Sequence, residues 1–338
     1  MPFYTDTRVS LQMTKMSIVN RNLAMVALTA TMILSIMPVA FAANRVIATI
    51  SVQFGPEGIV FDSTNGDLYV ANDGSSTVSV INGVTNNVIT TISVAAGPTF
   101  GAFDSDNGNV YMASGGASAN VVSVISGTSN TVTATIAVGI NPFGVAFDAA
   151  NGNIYVADAG SNSVSVISGA NNAVVATIPV GSSPVGVAFD SSNGFVYVTN
   201  EGSNTVSAIN TAINSVVATI TVQMSPFGIA FDSSNGNVYV ANSSGATSVS
   251  VIDGTSNTVK TTIPISGNPI GVAFDSSNRH VYVTDEFANQ VSVINDRGNV
   301  VVATVSVGPM PLGIAFDSAN GNIYVTNGGD SSVSVIHG

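Results

Sequence analysis

The dipeptide Phe-Asp occurs seven times in this chain, at Phe61-Asp62, Phe103-Asp104, Phe147-Asp148, Phe189-Asp190, Phe231-Asp232, Phe274-Asp275 and Phe316-Asp317, separated by 42, 44, 42, 42, 43 and 42 residues. Short strand-like runs broken by turn residues surround each copy. In the fifth unit, Ile229-Ala230-Phe231 is ended by the Asx and Gly turn from Asp232 to Gly236. Val238-Tyr239-Val240 follows and is broken at Ser243-Ser244-Gly245. Val249 to Ile252 closes at Asp253-Gly254, and Val259 to Ile263 alternates apolar and polar positions as a half-buried strand does. Residues 43–338 show no 3.6-residue periodicity, which excludes a helical solenoid. Tight turns pair such strands antiparallel, and a four-stranded unit of about 40–45 residues is a blade. The expected fold is all-β: a seven-bladed β-propeller with four antiparallel strands per blade.

The strand count also says how the ring closes. The pattern Asn-x-Val-x-Ala/Thr-Thr-Ile/Val occurs seven times, but its first copy, Asn44 to Val52, precedes any Phe-Asp. The last unit stops at Val333 to Ile336 without one. The N-terminal strand is therefore expected to complete the last blade. Such closure leaves no open sheet edge between first and last blades. It also ties the two ends together in a chain with no Cys, where a disulfide or a thiol-ligated metal is excluded.

Within the Phe-Asp strand, Gly stands three residues before Phe in six units, with Phe100 the exception, and Ala one residue before it in six. Strand alternation puts Gly and Ala on one face and Ile/Val with Phe on the other, which suits close packing of blades near an axis. The invariant Asp is expected to start the following turn.

The first forty-odd residues differ in kind. Arg8, Lys15 and Arg21 precede an apolar run from Leu23 to Met37, then Pro38 and Ala40-Phe41-Ala42. This is the pattern of a secretory signal peptide, so residues 1–42 are expected to be the leader and 43–338 the propeller. An uncleaved membrane anchor is the competing reading, and Met13 and Met16 are alternative starts. No second apolar run of spanning length follows, so no membrane span is expected after cleavage. Removing the leader leaves 18 acids and 4 bases. That balance offers no footprint for nucleic acid. The expected location is secreted or at the cell surface.

The second strand of each unit carries Tyr197-Val-Thr-Asn200 and Tyr324-Val-Thr-Asn327, with close variants at Tyr69, Tyr155, Tyr239 and Tyr282 and a more distant one at Tyr111-Met-Ala-Ser114. Over about residues 44–338 the chain resembles the YVTN-type β-propeller repeat family. The resemblance implies surface-layer or secreted proteins of archaea and bacteria with adhesive or unassigned roles. Propeller relatives also include lactonases, a streptogramin lyase and haem d1 domains, so the fold alone does not choose a function.

Few residues could carry chemistry. His280 and His337 are the only histidines, expected at one end of neighbouring blades and short of the ligands a zinc site needs. No nucleophile elbow is present. Asp104 to Asn109 is similar to a calcium loop, but its Gly falls one position early, so it reads as another Asx turn. No catalytic set, metal site or cofactor is expected.

Positions that vary between units are more telling. Chain lengthening falls between the second and third strands, in units two and five, and the unrepeated acids Asp73, Glu201, Glu286 and Asp330 share that connection. This end also holds the Pro-x-Gly segments that open each Phe-Asp strand. Their central residues, Glu57, Thr99, Phe143, Val185, Phe227, Ile270 and Leu312, are expected to ring the channel mouth as an apolar collar with one carboxylate. Three functions compete. The first is an exported, non-enzymatic binding module with a cell-envelope or extracellular protein or glycan partner. The second is a metal-dependent lactonase-like hydrolase using Glu57 with Asn72, Asp158 or Asn200, and the third a purely structural surface tile. Asn242-Ser-Ser244 is the one glycosylation sequon and is expected in an exposed loop.

Overall fold

The computed structural model describes residues 44–116 and 119–338. The leader read over residues 1–42 lies outside them. Strands β1 to β28 run in chain order from β1 (Arg45–Ser51) to β28 (Ser332–His337). They form seven separate four-stranded sheets, each an antiparallel meander. The first blade is β2 (Pro56–Asp62), β3 (Asp67–Asn72), β4 (Thr77–Asn82) and β5 (Asn87–Ser93), running from the axis outwards.

The seventh sheet has the order β1-β28-β27-β26, with β26 at Pro311–Asp317 and β27 at Asn322–Asn327. The N-terminal strand is thus the outer strand of the last blade, as the strand count requires. It pairs antiparallel with β28 from Arg45 opposite His337 to Ser51 opposite Ser332.

The core lies between blades. Seven apolar clusters each join neighbouring blades, as where Val60, Tyr69 and Val80 of the first meet Val110, Met112 and Ile125 of the second. The ring closes where Leu68, Val70 and Ile81 pack on Tyr324, Val333 and Val335 beside Ile50 of the N-terminal strand. A blade buries its apolar face only against a neighbour, so no blade has an independent core.

Two bulges recur in the blades. One lies in the inner strand, between Pro56 and Ile59 in the first blade, and re-aims the Pro-x-Gly segment at the axis. The close approach of neighbouring inner strands explains the glycine there. A Cβ on Gly144 would run into the Val185 carbonyl of the next blade, and one on Gly313 into that of Glu57. The other bulge lies between third and outer strands, as at Val166/Ile167, and twists the exposed edge.

Candidate functional site

Most repeated polar residues are spoken for by the scaffold. In every blade the Phe-Asp carboxylate accepts the amide two residues on, as from Thr64 to Asp62 and from Ala319 to Asp317. Asp104 accepts from the amides of Asp106 and Asn107, so the calcium-like segment is an Asx turn too.

The residue that ends the second strand is buried, and in the six blades where it is Asn or Asp it is tied to the third strand. Asn72 donates to Thr77 and Ser79, Asn200 to Thr205 and Ser207, and Asn327 to Ser332 and Ser334. At Asp158 the direction reverses: Ser163 and Ser165 donate to its carboxyl. Asn72, Asp158 and Asn200, nominated from sequence as partners of Glu57, therefore bind their own blades. Burial pushes the carboxyls of Asp158 and Asp285 up to about 6, against the lowering effect of the donated serine hydroxyls.

The sequence reading missed what the tyrosines do. Each Tyr hydroxyl donates to the asparagine that starts the next blade's outer strand: Tyr69 to Asn130, Tyr111 to Asn172, Tyr155 to Asn214, Tyr197 to Asn257 and Tyr239 to Asn299. Tyr282 donates to Asn44 and Tyr324 to Asn86, so the girdle passes through the N-terminal strand and closes. All seven asparagines have φ between 48° and 62°, a left-handed conformation that Asn tolerates well. Recurrence of Asn in the strand pattern was the available signal.

The threonine of Tyr-Val-Thr-Asn also crosses blades. Thr199 donates to the Phe227 carbonyl, Thr284 to that of Leu312 and Thr326 to that of Glu57. In the second blade, where the motif carries Ala113, Thr99 supplies the equivalent bond to the Phe143 carbonyl from the inner strand.

What remains is the axis. A cavity of about 160 Å³ is lined by inner-strand residues of all seven blades. Four of the seven collar residues line it: Phe143, Val185, Phe227 and Ile270. Thr99 is buried with its hydroxyl committed to the scaffold, and Glu57 and Leu312 stand at the same register position in blades one and seven without lining the cavity. Burial raises the Glu57 carboxyl to about 8, with the Asp73 carboxylate adding to the shift.

Phe100, which appeared in the sequence only as a broken repeat, lines the cavity. Its ring lies 5.3 Å from that of Phe143, which in turn meets Phe227 edge-on at 5.4 Å and 86°. The second blade has exchanged its residues here: Phe100 replaces the repeated glycine, and Gly101 replaces the Ile/Val that follows. Gly101 faces Val60 and Met112, which stand where other blades have Ala and Val. Four separate departures from the repeat are one packing event. Volume lost at Gly101 is returned by its two neighbours, and a phenyl ring is delivered to the axis.

The ends of the propeller differ in where their bases lie, although the end opposite the mouth also carries the seven Phe-Asp carboxylates. Connections at the mouth end, with the Pro-x-Gly segments, hold Glu57, Asp73, Glu201, Glu286 and Asp330 and no Lys, Arg or His. Arg279, Arg297, His280 and His337 lie at the opposite turns, and Arg45 starts its strand there. Exposed apolar side chains, Phe54 at 69% and Phe287 at 75%, stand on mouth-end connections. Units two and five are lengthened in those connections, between strands ending at Ser114 and Asn242 and those starting at Val121 and Ser248.

Two further sequence candidates are placed by the structure. Among the described residues no group of three or more His, Asp or Glu side chains is set to hold a metal ion. The sequon expectation is corrected: Asn242 is not in an exposed loop. It is wholly buried at a strand end, its amide donating to Ser248 and Ser250, so a glycan there would break the blade. Among the described residues no helix is long and apolar enough to cross a membrane.

Architecture and closure define a seven-bladed β-propeller with a cavity on its axis. The YNCE-like beta-propeller family matches residues 11–321, and the chain belongs to it. No curated protein matches the sequence. Among solved structures it is similar to Kuenenia stuttgartiensis hydrazine synthase, at 18% identity over 84% of this chain and 96% of that one, with a TM-score of 0.76. At that identity the likeness is one of fold.

Proposed function

We propose that this propeller is an exported, non-enzymatic binding module, secreted or associated with the surface layer, that recognises a cell-envelope or extracellular partner through its channel mouth. One observation supports this most: aromatic side chains of three blades converge on the axial cavity. Phe100, Phe143 and Phe227 line the axial cavity, while the repeated Asp, Asn, Thr and Tyr side chains are consumed by turns and blade contacts. The leader pattern in residues 1–42 supports export.

The test compares binding of wild type and a Phe143→Ser, Phe227→Ser variant to envelope preparations of the source cells, with Arg297→Ala at the opposite end as control. The expected result is loss of association in the mouth variant alone, with its melting transition retained. Undiminished association of the folded mouth variant would overturn the proposal.

A further inference from the structure

We propose that the axial cavity binds a small alkylated ammonium group, an inference that rests on the mouth being the recognition site. Size is the first argument. The cavity measures about 160 Å³, and an apolar cavity of roughly 150 Å³ holds a molecule the size of benzene. A nitrogen carrying methyl groups belongs to that size class.

The lining is the second. Phe100, Phe143 and Phe227 come from three different blades onto one cavity, with ring centroids 5.3 and 5.4 Å apart and interplanar angles of 36° and 86°. The rings touch one another rather than enclosing a gap, so the ligand is expected over the aromatic surface they leave towards the cavity, where a cation is attracted by the ring quadrupole, more strongly when water is excluded. The other lining side chains, among them Val185, Ile270 and Ile314, are apolar, so the acceptors on the cavity wall are backbone carbonyls. An alkylated nitrogen needs few of them and buries its methyl groups against the apolar wall.

Charge is the third. No base occupies any connection at this end, whereas Glu57 holds a collar position beside Asp73, and Glu201, Glu286 and Asp330 stand on connections of the fourth, sixth and seventh blades. A cleft with one sign of charge concentrates the opposite ion. Burial and Asp73 hold the Glu57 proton on, and an entering cation favours the ionised form. The aromatic wall supplies shape, and the acidic end selects charge.

Calorimetric titration of the purified protein with choline, and with its uncharged carbon isostere 3,3-dimethylbutan-1-ol, tests the inference. Choline is expected to bind at least about tenfold more tightly than the isostere. Phe143→Leu with Phe227→Leu should lose about tenfold for choline, and Glu57→Gln several-fold, with unchanged circular dichroism. Equal affinity for both compounds, or no choline binding, would overturn it. The two readings fail separately. Envelope association lost in the Phe143→Ser, Phe227→Ser variant without choline binding leaves the mouth reading standing and this one refuted. Choline binding with undisturbed association does the reverse.

Discussion

Restoring the repeat in the second blade should reveal how its phenyl ring reaches the axis. A Cβ at Gly101 would lie 2.8 Å from the Tyr111 carbonyl oxygen, 3.1 Å from Met112 Cε and 3.1 Å from Val60 Cγ2. Gly101→Val therefore presses a whole side chain into filled space. Overpacking of this kind costs about 1–3 kcal/mol. At about 2–4 °C per kcal/mol for a large domain, the melting temperature should fall by roughly 2–12 °C. Adding Val60→Ala, Met112→Val and Phe100→Gly removes the compensating volume and returns the small residue where the Phe143 carbonyl passes. This fourfold variant should recover most of the loss while emptying one wall of the cavity. Differential scanning calorimetry of wild type, single and fourfold variants reads the effect. A single variant that melts with wild type, or a fourfold variant no better than the single, would refute the claim that these departures are coupled.

The ring should depend on its N-terminal strand. Deleting residues 43–52 removes the partner of β28 and the Asn44 acceptor of Tyr282, and should lower the melting temperature more than any substitution proposed here; an unchanged transition would contradict the closure. Arg279 stands at φ 63° in a turn where other blades have Gly, and pairs at 2.9 Å with Asp296, whose side chain is fully buried. Arg279→Ala leaves that carboxylate with the Ser234 hydroxyl as its remaining donor and should cost about 1–2 kcal/mol, discounted because the arginine is part-exposed; Arg279→Gly with Asp296→Gly should restore stability, as measured by guanidinium unfolding. Asp158 and Asp285 have folded pKa values of about 6, above the ordinary 3.8, so their folded forms hold protons that the unfolded chain releases. Stability is therefore lost as pH rises from about 4 to 6, and Asp158→Asn with Asp285→Asn should raise the melting temperature at pH 8 but not at pH 3.5. Equal gains at both pH values would contradict the assignment.

The blades, their number and the N-terminal closure were legible because they depend on period and on which strand is missing from each end. The roles of Tyr and Asn were not, because five of the bonds join residues about 60 positions apart and the two that close the ring join residues 238 apart, and local pattern does not say which side chain crosses. Phe100 was visible only as a failed glycine. Its meaning required seeing that Val60, four strands of sequence earlier, fills the space beside Gly101. Position in a collar likewise did not fix direction: Thr99 shares a register with Phe143, yet its hydroxyl serves the scaffold. Asn242 was misplaced because Ser243 and Ser244 look like loop, while the asparagine itself is the last residue of a buried strand.

The account turns on a mouth that recognises rather than one that hydrolyses with a bound metal. Divalent metal content of the purified protein, measured beside Glu57→Gln after incubation with calcium, magnesium and zinc and gel filtration, tests this directly. With Asn72, Asp158 and Asn200 held by their own blades, both proteins should retain no stoichiometric ion. One ion per chain in wild type, lost in the variant, would contradict the account and make the mouth a metal centre.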